Sequence, residues 1–337
     1  MCLIPRAPVF IQEQADSTCK GSKLRVKDRM ETRVVAEVLK SRPTLEGAGV
    51  RLMRGFGSTQ LAYIFDPFLL FDDFGSHYPH EYMAGFPWHP HRGIETVTYL
   101  LKGEVHHEDS TGTKGVIRSG DLQWMSAGSG IYHAEMPRPA ARRHDEEKED
   151  TEMRGFQLWV NIPAEKKMSE PSYRNLLRDN IPSVELDDGT AVKLIAGELR
   201  GVPGLGSITG PVKNLPVDAH YLDITMKAGS EINYDVRDGY TSFAYVLDGE
   251  AVFDTRKNVR AGPRSVVLYD RSGDRIRIKT DETGARFLLM SGRPLREPIA
   301  WYGPIVMNTR EQLAEAFQEL ERGDFIKHRA TSYDYIE

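Results

Sequence analysis

Between residues 93 and 125 the chain breaks into four short runs of β-type residues, 93–101, 104–109, 115–117 and 122–125. Turns at Lys102-Gly103, Thr111-Gly112-Thr113 and Ser119-Gly120-Asp121 separate them. Strands this short and this regularly punctuated leave no room for the helical crossovers of a parallel sheet. They predict an all-β, antiparallel sandwich or barrel. A weak internal repeat extends the prediction along the chain. Tyr99-Leu100-Leu101-Lys102-Gly103-Glu104-Val105 reads like Tyr245-Val246-Leu247-Asp248-Gly249-Glu250-Ala251, and the same offset of 146 residues carries Gly93 onto Gly239. Two similar barrels are therefore expected in the 337 residues, a length that suits about two domains.

The remaining segments divide around these two units. Residues 1–30 lack a sustained apolar pattern and end in the basic cluster Lys20, Lys23, Arg25, Lys27 and Arg29, which reads as a flexible, solvated N-terminal extension. Residues 31–182 are assigned to the first barrel and 183–337 to the second. Residues 138–152 form a mixed-charge insert in the first barrel with no apolar face to bury, expected as an exposed, mobile loop. The apolar stretch 66–74, bracketed by acids, is expected to pack across a barrel mouth, and 171–181 to form a short helix. Thr309-Arg310-Glu311-Gln312 fits a capping box, and Leu313, Phe317 and Leu320 form one stripe, so 310–322 is predicted helical, ending before Gly323.

Composition excludes several classes of function. A hydrophobic content of 40%, a charged content of 28% and a net charge of -5 provide no global basic field for nucleic acid or an anionic membrane. The two cysteines, Cys2 and Cys19, leave no disulfide framework for the body of the chain and suggest a reducing compartment. Pro5, Arg6, Pro8 and Gln12 interrupt any signal-peptide core, and no stretch approaches ~18 apolar residues. The expectation is a protein neither secreted by signal peptide nor spanning a membrane.

The chemistry is concentrated in two stretches. His89, His91 and Glu95 stand at i, i+2 and i+6, and His133-Ala134-Glu135 follows about forty residues later. In extended strands, side chains two apart share a face, so both groups would point into one pocket. Pro90 donates no ladder hydrogen bond and places the first pair at a strand start or edge, near a barrel rim. Three imidazoles and a carboxylate suit a borderline divalent ion such as iron, and an octahedral ion would keep two open positions. Ligand type alone leaves manganese, nickel, cobalt and zinc open as well. The absence of thiolates argues against structural zinc. Glu95 is ambiguous between a ligand, an acceptor that orients a ligand and a proton-transfer group; Glu135, beside His133, ranks ahead of it as the ligand. Carried forward by the repeat offset, His89, His91 and Glu95 fall on Asp235, Arg237 and Thr241, so the second barrel should be metal-free. His106 and His107 are adjacent and would face opposite sides of a strand. His77, His80, His144, His220 and His328 have no companion at ligand spacing, and these seven read as surface or loop residues.

Several motifs carry a resemblance to a known family: Gly85-Phe86-Pro87, His89-Pro90-His91-Arg92-Gly93, Glu95-Thr96-Val97, Gly120-Asp121-Leu122-Gln123-Trp124-Met125, His133-Ala134-Glu135-Met136-Pro137 and Gln157-Leu158-Trp159-Val160-Asn161. Together with Asp66-Pro67-Phe68-Leu69-Leu70 and Pro294-Leu295-Arg296-Glu297-Pro298, Gly303-Pro304 and Met307-Asn308-Thr309, they resemble the pirin family of the cupin superfamily. The resemblance runs from about Val34 to Phe325. It implies two face-to-face cupin barrels, a bicupin, with iron in the N-terminal one held by His89, His91, His133 and Glu135. Members resemble quercetin 2,3-dioxygenases, and some eukaryotic ones are described as nuclear, iron-dependent transcription co-regulators. The leading expectation is thus an Fe2+-dependent dioxygenase that cleaves a flavonol-like aromatic substrate with O2, with Glu135 and then Glu95 as catalytic proton acceptors. The alternative is a metal- or redox-sensing regulator that binds a protein partner and contacts no nucleic acid directly. A non-redox metal isomerase or hydrolase, supported only by fold-level analogy, ranks third. A cytoplasmic monomer is expected, nuclear if eukaryotic. Trp88 stands where many relatives carry Asp, and is expected to reshape the mouth of the pocket.

Overall fold

The computed structural model describes residues 30–140 and 150–334. The expected extension, apart from Met30, and the centre of the charged insert lie outside the described residues. Within them the chain is mostly strand, with two α-helices, Thr59–Phe65 and Arg310–Arg322.

The first half builds two sheets. The larger contains, in spatial order, Arg42–Glu46, Val50–Phe56, Phe68–Ser76, Met153–Asn161, Ile94–Lys102, Leu122–Ser126, Ser172–Leu176 and Thr331–Asp334. The smaller contains Phe86–His91, Ile131–Arg138, Glu104–Asp109 and Lys114–Arg118. The second half repeats the plan. Its larger sheet runs Val35–Lys40, Ser265–Tyr269, Thr241–Gly249, Ala285–Gly292, His220–Met226, Ala191–Ala196 and Ser183–Glu185, and its smaller sheet Glu231–Asp235, Arg275–Lys279, Ala251–Asp254 and Val259–Ala261. The repeat seen in the sequence falls on Ile94–Lys102 and Thr241–Gly249, which hold equivalent places in the two larger sheets.

These two strands are buried along their first seven residues on both faces. One face fills its own barrel and the other packs on the opposite half, which is why their sequences read as continuous apolar runs rather than alternating ones. A single apolar cluster, including Phe71, Tyr99 and Phe156 from the first half and Phe243, Tyr245 and Leu288 from the second, joins the halves face to face. Two hydrogen bonds cross this interface with the symmetry of the repeat. Tyr99 Oη donates to Asp223 Oδ2 at 2.8 Å, and Tyr245 Oη donates to Asp73 Oδ2 at 2.8 Å.

Three expectations are corrected here. Val35–Lys40, assigned to the first barrel, pairs antiparallel with Ser265–Tyr269 in the second. The preceding Arg33 is its anchor: buried, it donates from Nε to Gly273 O at 2.9 Å and from Nη1 and Nη2 to Tyr240 O and Arg237 O, each at 2.6 Å. An apolar alternation predicts a strand but does not say which sheet edge will take it. Residues 171–181 hold a strand, Ser172–Leu176, and one 3-10 turn, Arg178–Asn180, instead of a helix. There Tyr173 and Leu176 are buried, and Leu122–Ser126 and Thr331–Asp334 supply hydrogen-bonding edges on both sides. The 66–74 stretch lies across no mouth. Phe68–Ser76 is an internal strand of the larger sheet, and Phe68 and Phe71 set their rings 5.2 and 6.1 Å from Phe243 of the second half.

The C-terminal helix forms as predicted. Thr309 and Gln312 complete the capping box, and Gly323, at φ 78°, ends the helix in the left-handed conformation that glycine tolerates. The helix packs back on the first half. Arg92 is buried, donates to Glu319 Oε2 at 2.6 Å and to Phe325 O at 2.8 Å, and lies over the Phe325 ring. The chain's last third thereby returns to the strand that carries His89 and His91.

Candidate metal centre

Strand register places the histidines. Phe86–His91 pairs with Ile131–Arg138 so that His133 lies directly opposite His89 and Ile131 opposite His91. Two-residue alternation keeps His89 and His91 on the same side of their strand as His133 is on its own. The three rings converge. His89 Nε2 is 3.0 Å from His91 Nε2 and 3.0 Å from His133 Nε2, and one nitrogen from each ring lies within 4.8 Å of the others.

The outer nitrogens fix two of the tautomers. His89 Nδ1 is 2.8 Å from Pro87 O and His91 Nδ1 is 3.1 Å from Pro304 O. A carbonyl oxygen only accepts, so both Nδ1 atoms carry the proton and both Nε2 atoms are bare. Burial lowers the pKa of all three rings, well below the ordinary value for His91 and His133, where neighbouring histidines add to the effect. Two bare nitrogens of neutral rings facing each other at 3.0 Å repel unless a cation sits between them. Two nitrogen donors at right angles on one ion, each ~2.1 Å away, would be ~3.0 Å apart. The donor set fits a divalent transition metal.

Glu135 stands beside the triad, and Glu95 does not. Glu135 Oε2 is 3.8 Å from His133 Nε2, and its Oε1 is 3.2 Å from Thr98 Oγ1, which lies 2.7 Å from Gln157 Oε1. Burial pushes the Glu135 carboxyl up to about 7, against the hydrogen bonds from Thr98 and Gln157. Glu95, expected on the same face as the histidines, instead accepts from Trp124 Nε1 at 2.9 Å inside the apolar core. The parity count fails at Gly93. Its φ of 75° ends one strand and starts another in the other sheet, and a Cβ there would sit 2.0 Å from Val306 O. Lys167, also buried, donates to Gly93 O at 2.7 Å, Asn161 Oδ1 at 2.6 Å and Val306 O at 3.0 Å, pinning this turn against the C-terminal segment.

His89 and His91 line a cavity of about 810 Å³, together with Glu135, Gln157, Phe74, Trp159 and Trp301. Aromatic rings form part of its wall: Trp159 stands edge-on to His91 at 5.1 Å and lies 6.1 Å from Trp301. One side is charged, where Arg54 makes a two-pronged bond to Asp72 at 2.9 and 2.8 Å. Trp88 is half exposed among the lining residues, where a change of residue alters the mouth and not the ligands. The contribution of residues 301–304 had no signal in the histidine spacing; only the Gly303-Pro304 motif marked it. Of the other histidines, His106 is exposed as expected, but its neighbour His107 is buried and faces the barrel interior. His220 is only partly exposed, and its Nδ1 lies 2.6 Å from Tyr234 Oη.

Two stacked β-barrels with a histidine triad in the first define a bicupin, and the triad is the one metal-type cluster among the described residues. Comparison with known proteins gives the family. The models for Pirin and for the Pirin C-terminal cupin domain match residues 49–160 and 221–326, and the chain belongs to the pirin family. It is 43% identical to a pirin-like protein of Caulobacter vibrioides over 88% of this chain and 100% of that one. It is 39% identical to rat pirin over 82% of this chain and 88% of the relative. Among solved structures, quercetin 2,3-dioxygenase from Acinetobacter baumannii aligns with a TM-score of 0.76 and 32% identity, covering 88% of this chain and 99% of that one.

Proposed function

We propose that this chain is an Fe2+-dependent dioxygenase that cleaves a flavonol-like, hydroxylated aromatic compound with O2. The observation that carries the reading is the convergence of bare histidine nitrogens beside a large cavity whose wall includes Phe74, Trp159 and Trp301. Likeness to the Acinetobacter quercetin 2,3-dioxygenase supports the substrate class.

His89, His91 and His133 hold the ion, with Glu135 as the fourth ligand. The bound ion supplies Lewis acidity and a template for substrate and oxygen. The protein does the rest. Trp159 and Trp301 offer flat faces to an aromatic ring system. Glu135, the carboxylate nearest the triad, would take the proton of the substrate hydroxyl, with Thr98 Oγ1 beside it at 3.2 Å. Glu95, tied to Trp124 away from this cavity, has no part in that transfer.

The test is oxygen consumption by anaerobically iron-reconstituted protein given quercetin, beside the double variant His89→Ala, His133→Ala. Uptake that disappears in the variant supports the reading. A chain with full iron and no uptake on any phenolic compound overturns it in favour of a metal-sensing binding protein. Glu135→Gln with full metal and full activity would remove the proton-acceptor role alone.

A further inference from the structure

Next to the triad, and outside the lining of that cavity, the first barrel buries a second group of polar atoms that lack well-aligned hydrogen bonds among the described residues. His89, His133 and Asp109 are directly opposed across three adjacent strands, Phe86–His91, Ile131–Arg138 and Glu104–Asp109, and Glu135 opposes His107 in the same ladder. Side chains so opposed share one face. From the facing sheet, the buried Tyr173 lays its ring 5.9 Å from that of His107, nearly parallel. Four atoms in this group are buried without a well-aligned hydrogen bond: His133 Nδ1, Asp109 Oδ2, His107 Nδ1 and Tyr173 Oη, the last of which faces the Asp109 carboxylate.

Their chemistry is complementary. Asp109 Oδ1 is saturated, accepting from Thr111 N at 2.7 Å, Thr111 Oγ1 at 2.8 Å and Thr113 N at 3.1 Å, so the carboxylate is held by one oxygen and offers the other inward. His107 Nε2 is 2.9 Å from Gln123 Nε2, an amide nitrogen that only donates; the His107 proton therefore sits on Nδ1. The ring can lie there because residue 115 is glycine, where a Cβ would fall 2.4 Å from His107 Nε2. With Nε2 turned to the metal, His133 also carries its proton on Nδ1. The group thus holds two ring N–H donors, one hydroxyl and one carboxylate acceptor. Buried polar groups are almost always paired, and ordered water is the usual partner where side chains fall short.

We propose that this group binds ordered water, which joins His133 Nδ1 to Asp109 Oδ2 and makes Asp109 the positioning residue that aims His133 at the metal. The second part rests on the metal reading above; the first does not. A metal-bound histidine ordinarily donates its other N–H to such an acceptor, directly or through water, and losing the acceptor weakens the metal 10–100-fold.

Asp109→Asn tests this cleanly, because the amide oxygen preserves the turn contacts and the amide NH2 replaces the free oxygen with a donor. With Co2+ as the probe and a competing chelator, the variant should bind at least about tenfold more weakly. Its visible cobalt spectrum should shift, while the unfolding midpoint of its metal-free form stays near that of the parent. Unchanged cobalt affinity overturns the positioning role. A crystal structure should show water within hydrogen-bonding reach of both His133 Nδ1 and Asp109 Oδ2, and an empty group there overturns the proposal. If the parent protein binds no cobalt, the metal reading fails while the crystallographic test of the water still stands.

Discussion

The two barrels share a backbone plan and differ in the row of side chains where the first carries its histidines. In the first, His89 and His133 face each other across paired strands; in the second, the same positions hold Asp235 and Arg275, 3.0 Å apart as an ion pair. His91 has its counterpart in Arg237, paired with Asp218 at 3.0 Å. Even the turn is kept, with Gly93 at φ 75° and Gly239 at 82°. The second barrel also keeps a hollow of about 450 Å³ at the counterpart position, lined by Asn233, Asp235 and Arg237, 146 residues on from Pro87, His89 and His91. The lesson concerns charge. An aspartate and an arginine satisfy each other and ask for nothing further. Two neutral imidazoles whose protons are committed to carbonyls present facing lone pairs, and only a cation answers them.

The comparison can be broken most directly by counting ions. Metal analysis of the reconstituted chain should find one transition-metal ion per chain, and the His89→Ala, His133→Ala variant should lose essentially all of it, with affinity falling more than 100-fold. Two ions per chain, or one retained in the variant, would mean that the Asp235–Arg275 site also binds metal.

A second contrast is mechanical. Arg92 next to the triad is buried against Glu319 of the C-terminal helix. Arg92→Ala should cost about 1.5–3 kcal/mol in denaturant unfolding, because Ser129 O and Phe325 O lose their buried donor while Glu319 keeps Lys327 at 2.9 Å. A cost below about 1 kcal/mol would show that the helix is not clamped to the first barrel by this arginine.

The third contrast is in pH. In metal-free protein the Glu135 carboxyl is raised to about 7 by burial, above its unfolded value of 4.5. Between those values the folded chain holds a proton that the unfolded chain has lost. Stability should therefore fall as pH rises from about 4.5 to about 7, by up to roughly 3 kcal/mol, and level off above. Glu135→Gln should flatten that slope in chelator-treated protein; an unaltered slope would assign it to another group.

The smallest effect compares the two tyrosines that cross the interface. Asp223 keeps Arg286, at 3.0 and 2.7 Å, when Tyr99 is lost, whereas Asp73 makes its hydrogen bond to Tyr245 at 2.8 Å. Tyr245→Phe should cost about 1–2 kcal/mol and Tyr99→Phe less than about 1 kcal/mol. Equal losses would show that Arg286 does not support Asp223 in this way.

Much of this was legible from residue order, and the failures have local causes. Glycine-punctuated runs revealed the strands, the 146-residue repeat revealed the second barrel, and the Thr309 capping box revealed the helix, because each depends on contacts a few residues apart or on a repeated pattern. The placement of Glu95 failed because parity counting assumes an unbroken strand, and Gly93 breaks it. His107 was misjudged because spacing along one strand says nothing about Gln123 and Tyr173 on the opposite sheet.

By itself, the sequence determined an all-β chain with a repeated barrel, and it identified His89, His91 and His133 as residues that alternation would turn to one side. Only the tertiary structure decided that Val35–Lys40 would serve the second barrel, that residues 301–304 would wall the first barrel's cavity, and that Glu95 would turn from the triad to Trp124. The physical reason is one of range. Side-chain direction within a strand follows from backbone geometry over two residues, whereas sheet edges, cavity walls and hydrogen-bond partners are chosen by packing between segments up to about two hundred residues apart.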